Sequence, residues 1–310
     1  MYNSIKKTNK FLLFVLIFQV IVGFTWVSFT ASLNVNPALE MILIQFITFG
    51  IPTIIYFFIT KENPKQVLSI RPISILNILI IIGISIFVQP FMNVLSGITS
   101  LFFENNAENI INGTINLPLW VTLLSTALTP AIFEEIVFRG IVFNGYKTTS
   151  IVKACFMCGL FFGITHMNIQ QFSYTIVMGI LFAFLVYKTK SIFASMISHF
   201  TINGTQVVMS SLASTLRTNQ AVETSLAIST SERIIAILVL LFIALIVSPI
   251  FVLLIKAFLK VNKNNTIEDD IIHYNIPKEQ QEPIFNIYLI FILVVFFIEV
   301  ILLPILQNYT

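Results

Sequence analysis

Charge is scarce in this chain. Charged residues fill only 10% of its 310 positions, against roughly 25% in a soluble domain. That shortage excludes an ordinary soluble protein, because 57% of the residues are hydrophobic and thirty-one are phenylalanine. Cysteine is nearly absent. The two present, Cys155 and Cys158, form a C-x-x-C inside an apolar run. A redox or zinc pair needs a polarised, accessible setting that this run lacks, so both are expected to pack as small buried hydrophobes. No G-x-S-x-G nucleophile turn occurs, nor the H-E-x-x-H zinc helix. No internal repeat is visible, which removes the usual sign of an inverted-repeat transporter. The net charge of +3 calls for no nucleic-acid partner, since lysines scattered at helix ends suit anionic lipid head groups.

What is abundant is lipid-like sequence, with a mean hydropathy of +0.94. About 20 apolar residues cross roughly 30 Å of hydrocarbon. On that measure an all-α, polytopic transmembrane bundle of about nine spans is expected, near residues 11–31, 39–60, 74–95, 117–145, 151–167, 172–187, 192–210, 233–258 and 284–305. The first run follows Lys6, Lys7 and Lys10, but it is longer than a signal h-region and lacks a small-residue cleavage pattern, so it is read as a retained helix. The fourth segment is long, and Pro130 is expected to kink it.

Alternation through nine spans with a cytoplasmic N-terminus puts fourteen of the seventeen basic residues on the inner side, as the positive-inside rule asks. The exceptions are Arg217, Arg233 and Arg139, the last within a span. The chain is thus expected to be one integral membrane domain over 1–310, with a polar outer loop at 96–116 and a cytoplasmic loop at 259–283. The outer loop carries Glu104 and Glu108, and Glu268–Asp270 in the inner loop reads as a solvated linker.

Against this background, ionisable residues inside apolar segments are costly and point to function. Glu134 and Glu135 stand together in A-I-F-E-E-I-V-F-R. Glu135 and Arg139 are four apart and share a helix face, so they can pair. Glu134 lies about 140° from Arg139 at 3.6 residues per turn, which leaves its carboxylate free to point elsewhere. His166 follows Phe162 by one turn, and Asn203 follows His199 by one turn. The third histidine, His273, lies in the inner loop.

Glu134 could deprotonate a water that His166 helps to hold. His199 and Asn203 could donate to the oxyanion formed when that water attacks an amide. The same Glu134, His166 and His199 are also a permissible zinc set with an open position, so the residues leave a metal open while favouring water activated without stable ligation. Helical rise places His199 about 11 Å, Glu134 about 16 Å and His166 about 22 Å from the inner boundary. They meet only if segment boundaries shift or helices tilt, and Gly159, Gly163 and Gly204 would permit close helix approach.

These motifs resemble the CPBP family of intramembrane proteases, also called the CAAX protease and bacteriocin-processing, or Abi, family. The family's E-E-x-x-x-R is matched by Glu134, Glu135 and Arg139, its F-x-x-x-H by Phe162 and His166, and its H-x-x-x-N by His199 and Asn203. The resemblance covers about 117–210 and implies a catalytic core of four helices there. It implies that Glu134 and His166 activate the water and that His199 and Asn203 stabilise the oxyanion. Glu135, Arg139 and Phe162 would then support the site. Family members were once expected to be zinc proteases, so zinc is the one cofactor to weigh.

Bacterial relatives are linked to bacteriocin immunity or maturation, peptide-signal processing and envelope regulation. The expected substrate is therefore a membrane-associated peptide or protein met within the bilayer of a bacterial plasma membrane. A non-proteolytic scaffold, or a transporter with a proton-relay carboxylate, remains an alternative on the residues alone. Glu299, in the last apolar segment, is read as structural or interfacial.

Overall fold

The computed structural model describes residues 4–31, 35–103, 117–218, 229–265 and 282–303. Among them nine principal helices form an all-α bundle: α1 (Ile5–Ala31), α2 (Pro37–Thr60), α3 (Ile75–Ser100), α4 (Leu119–Gly145), α5 (Ile151–Ile164), α6 (Ile169–Thr189), α7 (Phe193–Thr218), α8 (Thr230–Val261) and α9 (Ile287–Leu302). Local chemistry marks their starts. The Asn36 side chain caps α2 ahead of Pro37, Ser74 caps α3, Asn168 caps α6, and Ser229 with Glu232 closes a capping box on α8. Each supplies an acceptor to a first-turn N–H that has no partner within the helix.

The expectation of about nine membrane spans is corrected. Six described helices are long and apolar enough to cross a bilayer: α1 through Trp26, α2, α3, α4, α6 and α8. At 1.5 Å per residue, α5 and α9 reach only about 21 and 24 Å, short of the roughly 30 Å of hydrocarbon. Helix α7 is long enough, but Ser195, Ser198, His199, Thr201, Asn203, Thr205 and Gln206 punctuate it. The cytoplasmic placement of the N-terminus rested on nine alternating spans and falls with that count. Each apolar segment does fold as a helix; what fails is the equation of helix with span.

The loops also shift. Residues 96–100 of the expected outer loop continue α3, and 104–116, with Glu104 and Glu108, lie outside the described residues. The inner loop begins only after Val261, and Glu268–Asp270 and His273 lie outside the described residues.

Helix α4 sits at the centre and is the most buried of the six spans, whereas α8 covers α3 and leaves almost all of its apolar surface exposed. That outward surface, with Leu238, Phe242, Leu245 and Leu253, suits lipid rather than water. The core gathers Phe138, Phe161, Phe162, Phe182 and Tyr146, all fully buried. Both thiols are buried there and free, and Cys158 donates to the Phe138 carbonyl at 3.2 Å.

Polar pairs tie the helices where lipid offers no alternative partner. Tyr146 Oη donates to Asn9 at 2.6 Å. Asn77 and Asn262 exchange side-chain bonds at 3.2 and 2.7 Å. Ser85 and Ser198 lie 2.7 Å apart.

Helices α5 and α6 approach each other closely through glycine. A Cβ on Gly179 would lie 2.5 Å from Gly159 Cα, and one on Gly159 would lie 2.7 Å from the Ile176 carbonyl oxygen. No side chain fits between these backbones.

Candidate active site

Helix α4 carries the carboxylates, and its backbone is unusual where it does so. The chain stays helical through Pro130, with wider π turns at Leu123–Leu128 and Ile136–Val142. Such π turns are frequent at functional sites. Proline has no N–H to offer the carbonyl four residues earlier, here that of Thr126. Asn203 Nδ2 donates to the Thr126 oxygen at 3.3 Å. The asparagine of α7 thus adds a donor beside the point where Pro130 lacks one.

The two adjacent glutamates face different partners. Glu135 is fully buried. Its Oε1 accepts from Arg139 Nη1 at 2.9 Å and from His199 Nδ1 at 2.8 Å. Arg139 Nη2 donates to the Gly179 carbonyl at 3.2 Å, which the glycine contact between α5 and α6 brings within reach. The guanidinium also lies over the Phe162 and Phe182 rings, 4.4 and 4.9 Å from their centroids, a favourable cation–π placement. The pairing of Glu135 with Arg139 expected from their spacing is present, with His199 as a third member.

His199 is fixed on both sides. Its ring stacks on Phe182 with centroids 5.2 Å apart, and its Nδ1 is held by Glu135. A carboxylate only accepts, so Nδ1 carries a proton. Nε2 is turned toward Glu134, 4.0 Å from Oε2. Such a carboxylate–histidine contact sets ring orientation and tautomer in many sites.

Glu134 points away from Arg139, as its angle on the helix suggests. Its Oε1 accepts from Gln45 Nε2 of α2 at 2.8 Å. Glu134 also lines a cavity of about 780 Å³, within the roughly 300–1,000 Å³ of typical ligand pockets. His166 lines the same cavity. It sits in the turn after α5 rather than within that helix, so the depth mismatch expected from helical rise does not arise. Its Nδ1 lies 2.7 Å from the Phe162 carbonyl; a carbonyl only accepts, so that nitrogen donates and a neutral ring keeps its lone pair on Nε2.

The structure therefore brings Glu134 and His166 to one cavity, with His199 directly behind Glu134. His199 and Asn203 do not themselves line the cavity. Gln45, Gln19 and Glu299 do, and sequence reading did not connect them with the site. Their signal was a lone polar residue in I-L-I-Q-F and L-I-F-Q-V, and a lone acid in F-F-I-E-V. Such residues inside apolar segments face the protein interior or a polar cavity. Among the described residues no three His, Cys, Asp or Glu side chains converge closely enough to hold a metal ion. The set Glu134, His166 and His199 does not fit a preformed metal centre, and no step is routed through one.

Residues 116–205 match the family model described as type II CAAX prenyl endopeptidase Rce1-like, and all seven residues of the three motifs fall inside that segment. Over 107 residues the chain is 32% identical to the candidate membrane peptidase YdiL of Bacillus subtilis, a match covering 34% of this chain and 43% of that protein. The chain thus matches less than half of that relative's length. No solved structure gives a significant match.

Proposed function

We propose that this multi-pass membrane protein, which is similar to CAAX endopeptidases over residues 116–205, hydrolyses peptide bonds of membrane-associated peptides or proteins. The observation that carries the proposal is the meeting of Glu134 and His166 on the wall of one cavity, with His199 4.0 Å behind the first. The proposed catalytic core is α4 to α7, within residues 117–210.

In this reaction a water donates one hydrogen to Glu134 and the other to His166 Nε2. Its oxygen lone pair is then free to face the scissile carbonyl. Glu134 takes a proton as the carbon–oxygen bond forms, and later returns it to the departing amine. Gln45 holds the other carboxylate oxygen of Glu134, so the base is oriented before substrate arrives.

The carbonyl oxygen gains negative charge as water adds, and donors aimed at it lower the barrier. His199 and Asn203 are the proposed donors, one turn apart on α7. For His199 the donor would be an Nε2–H, on a ring that Glu135 holds through Nδ1 at 2.8 Å. Asn203 retains a second amide hydrogen after serving Thr126. Glu135, Arg139 and Phe162 act by holding His199, Gly179 and the His166 ring in place.

The cavity lies in a helix bundle whose outer faces suit lipid, which favours a partly lipid-embedded substrate. Peptide-signal or bacteriocin processing would present such substrates. The test is cleavage of a library of membrane-associated peptides by the purified protein in liposomes, with and without a chelator. Cleavage lost in folded Glu134→Gln, His166→Ala and His199→Ala supports the assignment. Equal cleavage by all three variants would remove it, and chelator sensitivity would bring a metal back into the mechanism.

A further inference from the structure

Glu299 is the one carboxylate of the cavity wall that the proposed chemistry does not use. It comes from α9, far in sequence from the segment that carries the motifs, yet it lines the same cavity as Glu134 and His166. It is half-buried and has no hydrogen-bond or ion-pair partner among the described residues. An unpaired carboxylate inside an apolar segment is expensive to keep.

The rest of the wall offers Glu299 no cation. Gln45 spends its amide N–H on the Glu134 carboxylate at 2.8 Å, and Gln19 spends its own on the Thr165 carbonyl at 2.7 Å. Both partners only accept, which fixes which end of each amide faces them. The oxygens left over, Gln19 Oε1 and Gln45 Oε1, are buried and have no partner. No lysine or arginine lines the cavity. An unpaired carboxylate therefore borders a space whose wall carries no lysine or arginine to meet it.

We infer that Glu299 forms a cation subsite for the substrate, taking the ammonium or guanidinium of a basic residue near the scissile bond. The inference rests on the peptidase reading of the same cavity and deepens it. Substrate supplies the cation that the wall lacks: its basic side chain meets Glu299. The apolar stem of a basic side chain can also lie along the walls while its head finds the carboxylate.

The experiment uses the full chain in liposomes and three matched membrane-associated peptides that differ only in carrying Lys, Gln or Glu at one position near the cleaved bond. That position is scanned along the peptide. Relative kcat/KM for the three is measured on the wild type, Glu299→Gln and Glu299→Lys. Ratios between peptides on one variant do not depend on its folded fraction, so partial misfolding cannot mimic the result. Peptide binding is measured in parallel on Glu134→Gln, with and without Glu299→Gln.

At one scanned position the wild type is expected to favour Lys over Glu by at least about tenfold, near 1.4 kcal/mol. Glu299→Gln should remove most of that preference, and Glu299→Lys should reverse it. Cleavage that depends on Glu134 but shows no change of charge preference in either Glu299 variant overturns the subsite and leaves the peptidase standing. Absence of cleavage with Glu299-dependent preference for the Lys peptide in binding overturns the peptidase and keeps the subsite.

Discussion

Glu135→Gln is expected to be far more damaging to stability than the neighbouring Glu134→Gln, although the two side chains are adjacent and chemically identical. Glu135 is fully buried and its Oε1 serves both Arg139 and His199. A glutamine oxygen in its place can still accept those bonds, but the negative charge is gone. The Arg139 guanidinium then stays buried without compensation, which costs about 3–5 kcal/mol. Glu134 borders the cavity and has one neutral donor, Gln45. Its conversion to glutamine leaves the buried Arg139–Glu135 pair intact, and a loss of no more than about 1 kcal/mol is expected.

Reversible unfolding in detergent, read by tryptophan fluorescence or circular dichroism, measures both. The double change Glu135→Gln with Arg139→Met should recover most of the loss, because removing both members of a buried pair is often near neutral. Activity separates from stability in the same set. Glu134→Gln should be folded and inactive; the double variant should be folded and still impaired, with His199 no longer tethered by a charged partner. Equal destabilisation by Glu134→Gln and Glu135→Gln, or a double variant no better than Glu135→Gln alone, would refute the division of labour between the carboxylates.

Three further outcomes follow from contacts already described. Gln45→Leu should lower kcat by roughly 10–100-fold, since a hydrogen bond to a charged group is worth about 1.5–3 kcal/mol; an unchanged kcat in a correctly folded variant would detach Gln45 from Glu134. Gly179→Ala should destabilise the fold by about 1–3 kcal/mol, because the new methyl meets Gly159 Cα at 2.5 Å; a neutral effect in an unfolding titration would mean that α5 and α6 can part freely. Asn203→Ala should cost about 1–2 kcal/mol in the wild-type background but little beside Pro130→Ala, where the new N–H can serve the Thr126 carbonyl; a double-mutant cycle that closes without coupling would break that link.

The sequence carried the chemistry further than the topology. Glu135 and Arg139 pair because they stand four apart on one helix, and such a local rule needs no knowledge of the fold. The separate direction of Glu134 follows from the same geometry. What helical spacing could not supply was tertiary: that His199 reaches Glu135, that Gln45 reaches Glu134, and that Glu299 joins the same cavity from the other end of the chain. The span count failed for a different reason. Apolar runs near 151–167 and 284–305 are too short as helices to cross a bilayer, and α7 is too polar, so hydropathy identified helices while alternation was applied to spans. His166 shows the same boundary effect in small, since the helix before it stops at Ile164 and frees the ring to turn toward the cavity.

The cavity has a composite origin. Glu134 and His166 come from α4 and the turn before α6, whereas much of its wall comes from α1, α2 and α9. Those outer helices lie beyond the segment that matches the endopeptidase family. Residues 116–205 grafted into another bundle would keep the Glu135–Arg139–His199 cluster but would lose Gln45, Gln19 and Glu299. Recognition and reaction are in this sense separately editable. If the proposed peptidase activity holds, exchanging the flanking helices for those of a relative should change which peptides are cleaved, and such chimaeras test that separation directly.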